Sequence, residues 1–349
     1  MDYEDLAGLE LEIDSYGWEA HERDTSSDFI RRSTVVSMHG AGKTGRGEDV
    51  TYDASAHESF GAVLEALPAP GTYTLEAYSR ALAGRDLFPG SEPEQSVYRS
   101  YRRWAVESAA LDLGLRQADT SLAERLGRSY DPVRFVVSTP LEDPPTGEVI
   151  QDWLHRHPDL EFKLDPDPDW TAAVVERLAD TGAVRILDLK GLYEGTDVDQ
   201  PADPAFYRRI VEGFPEAFIE DPDLTEKTRP LFAGQTGRVT WDYPIQDVES
   251  IEALPWEPDW LNCKPSRFGS VRSLFETIEY CREHDIQLYG GGQYELDVGR
   301  EHIHAIASLY YPSAPNDVAP TGYNDPDPSG ELPTSPLEPP EEPRGLSWG

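Results

Sequence analysis

VRILDLKGLY, residues 184–193, decides how this chain folds. It opens as an apolar run of the kind that forms a strand covered on both faces, yet it ends with Asp188 and Lys190 two residues apart. Positions i and i+2 of a strand point to the same side, so these two charges can face one interior together. Similar short apolar segments recur on either side: VRFVVS (133–138), LEFKLDP (160–166), AFIEDPD (217–223), VTWDYPI (239–245), WLNCKPS (260–266) and IQLYGGGQ (286–293), with a weaker eighth at DVAPTGY (317–323). Helical patterns lie between them, clearest at 169–180, 270–285 and 298–310. Alternation of this kind implies parallel strands joined by crossover helices, and seven or eight units imply a barrel closed on itself. A doubly wound sheet is the alternative.

The N-terminal third reads as α+β. Residues 31–52 alternate apolar and polar residues, break at the glycines from Gly40 to Gly45 and resume, which is a hairpin signal. Residues 96–118 carry Trp104, Ala105, Ala109, Leu111 and Leu115 along one helical face. The expected organisation is an α+β capping domain over 1–131, a (β/α)7β TIM-like barrel over 132–315, and an extension over 316–349 rich in Pro and acidic residues, extended or disordered.

Composition narrows the partners. The chain has 66 Asp and Glu against 30 Lys and Arg, a net charge of −36. Such self-repulsion penalises a compact state unless salt screens it, so a high-salt cytosol is expected, a merely acidic protein being the alternative. Nucleic acid and anionic membrane are poor partners. The acidic N-terminus and the absence of a long apolar run point to a cytoplasmic protein. Cys263 and Cys281 are spaced for neither a disulfide framework nor a zinc site and read as buried thiols.

Chemistry concentrates at the strand ends. Lys163 with Asp165, Asp188 with Lys190, Glu220 with Asp221, Asp242, and Lys264 all stand at C-terminal ends, which in a parallel barrel converge on one mouth. Three of the five lysines are among them. Asp188, Glu220 and Asp242 come from consecutive strands and could surround a hard divalent cation such as Mg²⁺, with Lys264 across the mouth as a base. Taken singly, each Asp reads rather as a helix cap or turn residue and each Lys as a solvated tip; the repetition on consecutive strands favours a site.

These motifs, taken together, resemble the enolase superfamily, in particular its branch of muconate-lactonizing enzymes, o-succinylbenzoate synthases and dipeptide epimerases. The resemblance runs from about residue 8 to 311 and rests on RRSTVVSMHGAGKTGRGED, SAALDLGLRQADTSLAERLG, ILDLKG, FIEDP, WDYPI, NCKPSRFGS and GGGQYELDVGR. It implies a barrel under an α+β lid, Mg²⁺ (or Mn²⁺) on Asp188, Glu220 and Asp242, and Lys264 as an acid/base group, the chemistry this superfamily is known for. Two departures matter. The second strand, where the family has Lys-x-Lys, gives Lys163 then Asp165, and the third, where it has Asp-x-Asn, gives Asp188 then Lys190.

Lys190 reads either as a relocated catalytic lysine paired with Asp165 or as a structural partner of that aspartate. A shifted register would make Lys163 the catalytic group. Because one base suffices for β-elimination, the expected activity is a lyase or dehydratase acting on a small-molecule carboxylate; an epimerase or isomerase, or a non-catalytic binding paralogue, are the alternatives. Trp18, Glu19, His21 and Arg23, expected in a capping-domain loop, and Glu295 are candidates for substrate contact, and a homo-oligomer is expected. His302 and His304 belong to the exposed or packed surface of their helix rather than to a metal site.

Overall fold

The computed structural model describes residues 2–27, 29–90, 92–193, 195–196, 198–328 and 331–348. Its centre is a parallel sheet of seven strands in chain order: β6 (Val137–Ser138), β7 (Phe162–Leu164), β8 (Val184–Asp188), β9 (Phe218–Glu220), β10 (Val239–Trp241), β11 (Trp260–Cys263) and β12 (Gln287–Gly290). Each coincides with one of the apolar segments read above. Valine, isoleucine and leucine fill them because both faces are covered, by helices outside and by side chains within. The crossover helices start where capping chemistry allows. Thr171 caps Ala172–Ala179, Asp203 caps Pro204–Gly213 with proline at the first position, and Ser270 caps Val271–Glu283.

The two ends of the sheet meet through the eighth segment. Asn316 forms a parallel bridge with Phe135, just before β6, and Asp317 forms one with Gly291, just after β12. Asn316 is fully buried and its side chain holds the seam: Oδ1 accepts the N–H of Gly290, and Nδ2 donates to the carbonyls of Arg134, Tyr311 and Ala314.

The N-terminal part carries two antiparallel sheets. β2 (Ser15–Asp24), β3 (Ile30–Gly40) and β4 (Lys43–Asp49) form one, with a tight turn at Ala41–Gly42; β1 (Glu10–Ile13) pairs with β5 (Gly71–Thr74) in the other. β4 lies on the helix Tyr98–Gln117 so closely that a Cβ at Gly47 would stand 2.0 Å from the Ala105 carbonyl oxygen. Only glycine permits that approach.

Two buried glutamates of this part terminate barrel helices. Glu48 accepts the N–H groups of Leu296, Asp297 and Gly299 at the start of the helix Val298–Tyr310. Glu107 accepts that of Val271 at the start of Val271–Glu283. The last residues return across both parts: Leu337 pairs with Val133, Gly345 with Ser121, and Leu346 and Trp348 are buried. No helix among the described residues is long and apolar enough to cross a membrane.

Asn316→Ala removes four hydrogen bonds at the seam and strands the Gly290 N–H, so a loss of about 2–4 kcal/mol in denaturant-unfolding free energy is expected.

Candidate active site at the barrel mouth

The strand-end charges meet. Lys163, buried on β7, pairs with Glu220, with Asp188 at 3.3 Å and with Asp317 at 3.5 Å. Lys190 reaches Asp188 at 2.5 Å and Asp165 at 3.5 Å. Across the barrel, Asp242 receives Lys264 at 2.8 Å, Arg267 at 3.2 Å and the Tyr193 hydroxyl at 3.1 Å, all on Oδ2. Glu220 accepts from Asn262 at 3.1 Å and from the Tyr289 hydroxyl. Lys190, Asp221 and Tyr294, each just past the end of a strand, have φ of 51°, 48° and 55°. Non-glycine residues take that left-handed conformation at a cost, and such strain gathers at functional sites. The Lys190 ammonium lies between Asp188 of its own strand and Asp165 just past the second.

Burial and charge set the protonation states. Burial disfavours the Asp188 carboxylate, but Lys190 and Lys163 overcome this and hold its carboxyl well below the usual range. Asp242 is held down in the same way by Arg267 and Lys264. Glu220 moves the other way: burial, with Asp188 and Asp242 beside it, pushes it well up despite Lys163. Asp221 is pushed up to about 7 by burial and the same two neighbours, although its carboxylate accepts the N–H groups of Asp242 and Tyr243. Lys163 and Lys190 lose charge stability to burial but gain more from their carboxylates, so both are raised and stay charged.

The three carboxylates expected to hold a cation line one mouth, but they do not stand as a ready cage. Among the described residues no three His, Cys, Asp or Glu side chains gather in that way. Asp188 and Glu220 share the ammonium of Lys163, whereas Asp242 is turned toward Lys264 and Arg267. Two features nevertheless fit a hard divalent cation. Asp242 Oδ1 is buried without a partner among the described residues. Within the same set, Asp165, Asp188, Glu220, Asp221, Asp242 and Asp317 face three ammonium groups and one guanidinium, an excess of two negative charges that Glu220 and Asp221 accommodate by retaining protons.

Other candidates fall elsewhere. Trp18, Glu19, His21 and Arg23 lie not in a loop but on strand β2. Trp18 is 41% exposed with its ring 6.1 Å from that of Phe60, Glu19 is exposed, His21 approaches Asp297 at 3.4 Å, and Arg23 approaches Asp325 at 3.5 Å. Glu295 is buried near the mouth and accepts the Gln293 N–H. His302 and His304 are buried in packing, and both cysteines are buried thiols. Asn262, two residues before Lys264 and so on the same side of its strand, was open to the alternation rule; Tyr193 and Arg267, from segments after strands, were not.

A closed parallel barrel with acid and lysine side chains at its C-terminal mouth, under an α+β cap, is the architecture of the enolase superfamily, and similarity to known proteins agrees. The chain belongs to the family described as "Domain of unknown function (DUF8230)", whose N-terminal and C-terminal domain models match residues 4–125 and 129–325. It is 24% identical over 297 residues to an o-succinylbenzoate synthase of Bacillus subtilis (strain 168), covering 82% of this chain and 76% of that protein. It is 28% identical over 255 residues to an N-succinylamino acid racemase of Amycolatopsis sp, covering 68% and 66%. A dipeptide epimerase from Enterococcus faecalis V583 shares the fold at a TM-score of 0.72 and 16% identity, covering 97% of this chain and 99% of that one. One from Methylococcus capsulatus, complexed with Mg ion, does so at 0.70 and 17%, covering 97% and 99%. These homologues are enzymes.

Removing one partner from a buried ion cluster leaves the others uncompensated. Lys163→Met is therefore expected to lower the unfolding free energy of the chelator-treated protein by about 3–5 kcal/mol, read from denaturant melts.

Proposed function

We propose that this protein is a Mg²⁺-dependent enzyme that removes the proton α to a carboxylate of a small molecule. The observation that carries this reading is the delivery of lysines to strand-end carboxylates from opposite sides of one barrel: Lys163 and Lys190 from β7 and just past β8, and Lys264 from just past β11.

Asp188, Glu220 and Asp242 would hold the cation, which when bound supplies positive charge for a substrate carboxylate and for the enediolate that forms from it. Lys264 would face the α-carbon from one side and, once a cation on Asp242 has displaced its ion pair and its amine has given up a proton to solvent, would take the α-proton. Lys163 and Lys190, kept charged by their carboxylates, offset negative charge on the other side and can return a proton there. Gly291 gives Lys264 its room, since a Cβ there would come within 2.7 Å of Lys264 Cε. Tyr193 and Tyr243, ring centroids 4.4 Å apart, cover the Asp242 side against water.

Lysine from both sides favours an isomerase, returning the proton to the opposite face, over the one-base elimination that the missing second-strand lysine suggested. The placement of Lys190 beside Asp165 supports that preference. The net charge of −36 further supports a working environment of high ionic strength.

The test is α-proton exchange in D₂O, followed by NMR on a panel of N-acyl amino acids and dipeptides in high salt with Mg²⁺. Exchange is expected with the wild type, reduced about 10²–10⁴-fold in Lys264→Ala. No exchange across the panel would sink the proposal. The protons on Glu220 and Asp221 must also leave when a cation binds. Mg²⁺ affinity, measured by calorimetry, is therefore expected to rise between about pH 6 and 8 with proton release, because Asp221 titrates at about 7 in the cation's absence.

A further inference from the structure

The end of the barrel opposite the mouth is open. Phe218 and Trp260 are the first residues of β9 and β11 and Leu288 is the second of β12; all three line a cleft of about 830 Å³ that Arg134 and Arg185 also enter. In a parallel barrel that end ordinarily serves stability rather than chemistry. A cleft of this size is large enough to hold a small molecule. Tyr289, fully buried, separates it from the mouth: its ring is stacked on Phe218 at 6.1 Å and 11°, and its hydroxyl reaches Glu220 on the other side.

Two kinds of group meet in the cleft. Its floor is aromatic, the rings of Phe218 and Trp260 standing 4.8 Å apart, each only partly buried. Its charge comes from a shared carboxylate. Glu161 accepts Arg134 Nε and Nη2 at 2.6 and 2.7 Å and Arg185 Nε at 2.6 Å. Arg134 gives its remaining amine to the Ser313 carbonyl at 3.2 Å, whereas neither terminal amine of Arg185 has a partner among the described residues. Two guanidinium groups on one carboxylate leave one positive charge over, in a chain whose net charge is −36. The other charged groups of the lining are answered or solvated: Arg128 by Asp2 at 2.8 Å, Arg282 by Glu279 and Glu216 by Arg238, with Asp285 exposed to water.

The free amines of Arg185 form a planar fork that matches a carboxylate, and the faces of Trp260 and Phe218 favour a flat ring. We infer that this cleft binds a planar aromatic molecule carrying one carboxylate, its ring on Trp260 and Phe218 and its carboxylate on Arg185. The site is independent of the chemistry at the mouth, and its occupant is not the molecule that reacts there.

The test compares naphthoate with naphthalenemethanol, which has the ring without the charge, by calorimetry and by quenching of tryptophan fluorescence. The wild type is expected to bind naphthoate about tenfold or more tightly than the alcohol. In Arg185→Gln that ratio is expected to fall to about twofold or less, while Glu161 stays paired with Arg134 and the fold is kept. Trp260→Leu is expected to weaken naphthoate binding about three- to tenfold. Lys264→Ala, at the other end of the barrel, is expected to leave it unchanged. Equal binding of the two molecules by the wild type, binding of neither at millimolar concentration, or a preference that survives Arg185→Gln would overturn the site. Binding lost in Lys264→Ala but kept in Arg185→Gln would place the anion at the mouth and overturn it as well. So would a dimer in sedimentation that Trp260→Leu dissolves and naphthoate leaves intact, since the aromatic floor would then belong to a second copy of the chain.

Discussion

Carboxylates crowded into a water-poor barrel mouth cannot all be charged unless cations are brought to them, and much of this site follows from that constraint. Lys163 and Lys190 permit Asp188 to ionise, and Lys264 with Arg267 does the same for Asp242. Glu220 and Asp221, facing those ionised neighbours, keep their protons instead. The constraint reaches the backbone as well. Lys190 adopts a left-handed conformation to deliver its ammonium, and a glycine at 291 leaves room for the lysine of the sixth strand. A mouth balanced in this way is poised for a divalent charge or an anionic substrate to redistribute protons.

Much of the fold is legible in the sequence because the barrel speaks in short apolar runs, whose C-terminal ends bring Lys163, Asp188, Glu220 and Asp242 to one mouth, whereas Asp165 and Lys190 lie past their strands, where alternation no longer sets direction. What escapes has physical reasons. Arg267 and Tyr193 reach the mouth from segments that follow strands, where no periodicity reports direction. Trp18 to Arg23 form a strand because the pairing of β2 with β3 supplies their order, although the segment is largely exposed. The barrel seam is held by Asn316, a lone polar residue that no apolar pattern flags. Composition also understates the final stretch: its mean polarity hides Leu337, Leu346 and Trp348, single apolar anchors fitted into surfaces built by other segments.

Set against the Lys-x-Lys and Asp-x-Asn pattern of the resemblance, this chain has Asp165 after the second strand and Lys190 after the third, and the two side chains stand 3.5 Å apart. A residue just past one strand of a parallel sheet can thus reach a residue just past its neighbour, a contact that a motif read along one strand does not reveal.

Glu48 and Glu107 tie the two halves of the chain to each other. Each is a glutamate of the N-terminal half whose carboxyl oxygens accept N–H groups at the start of a barrel helix, where backbone donors lack partners within the helix. A cap borrowed from a distant cousin would arrive without these carboxylates in register. Each of these two barrel helices thus begins on a carboxyl group that the lid supplies, so the lid and barrel of this chain are not interchangeable parts.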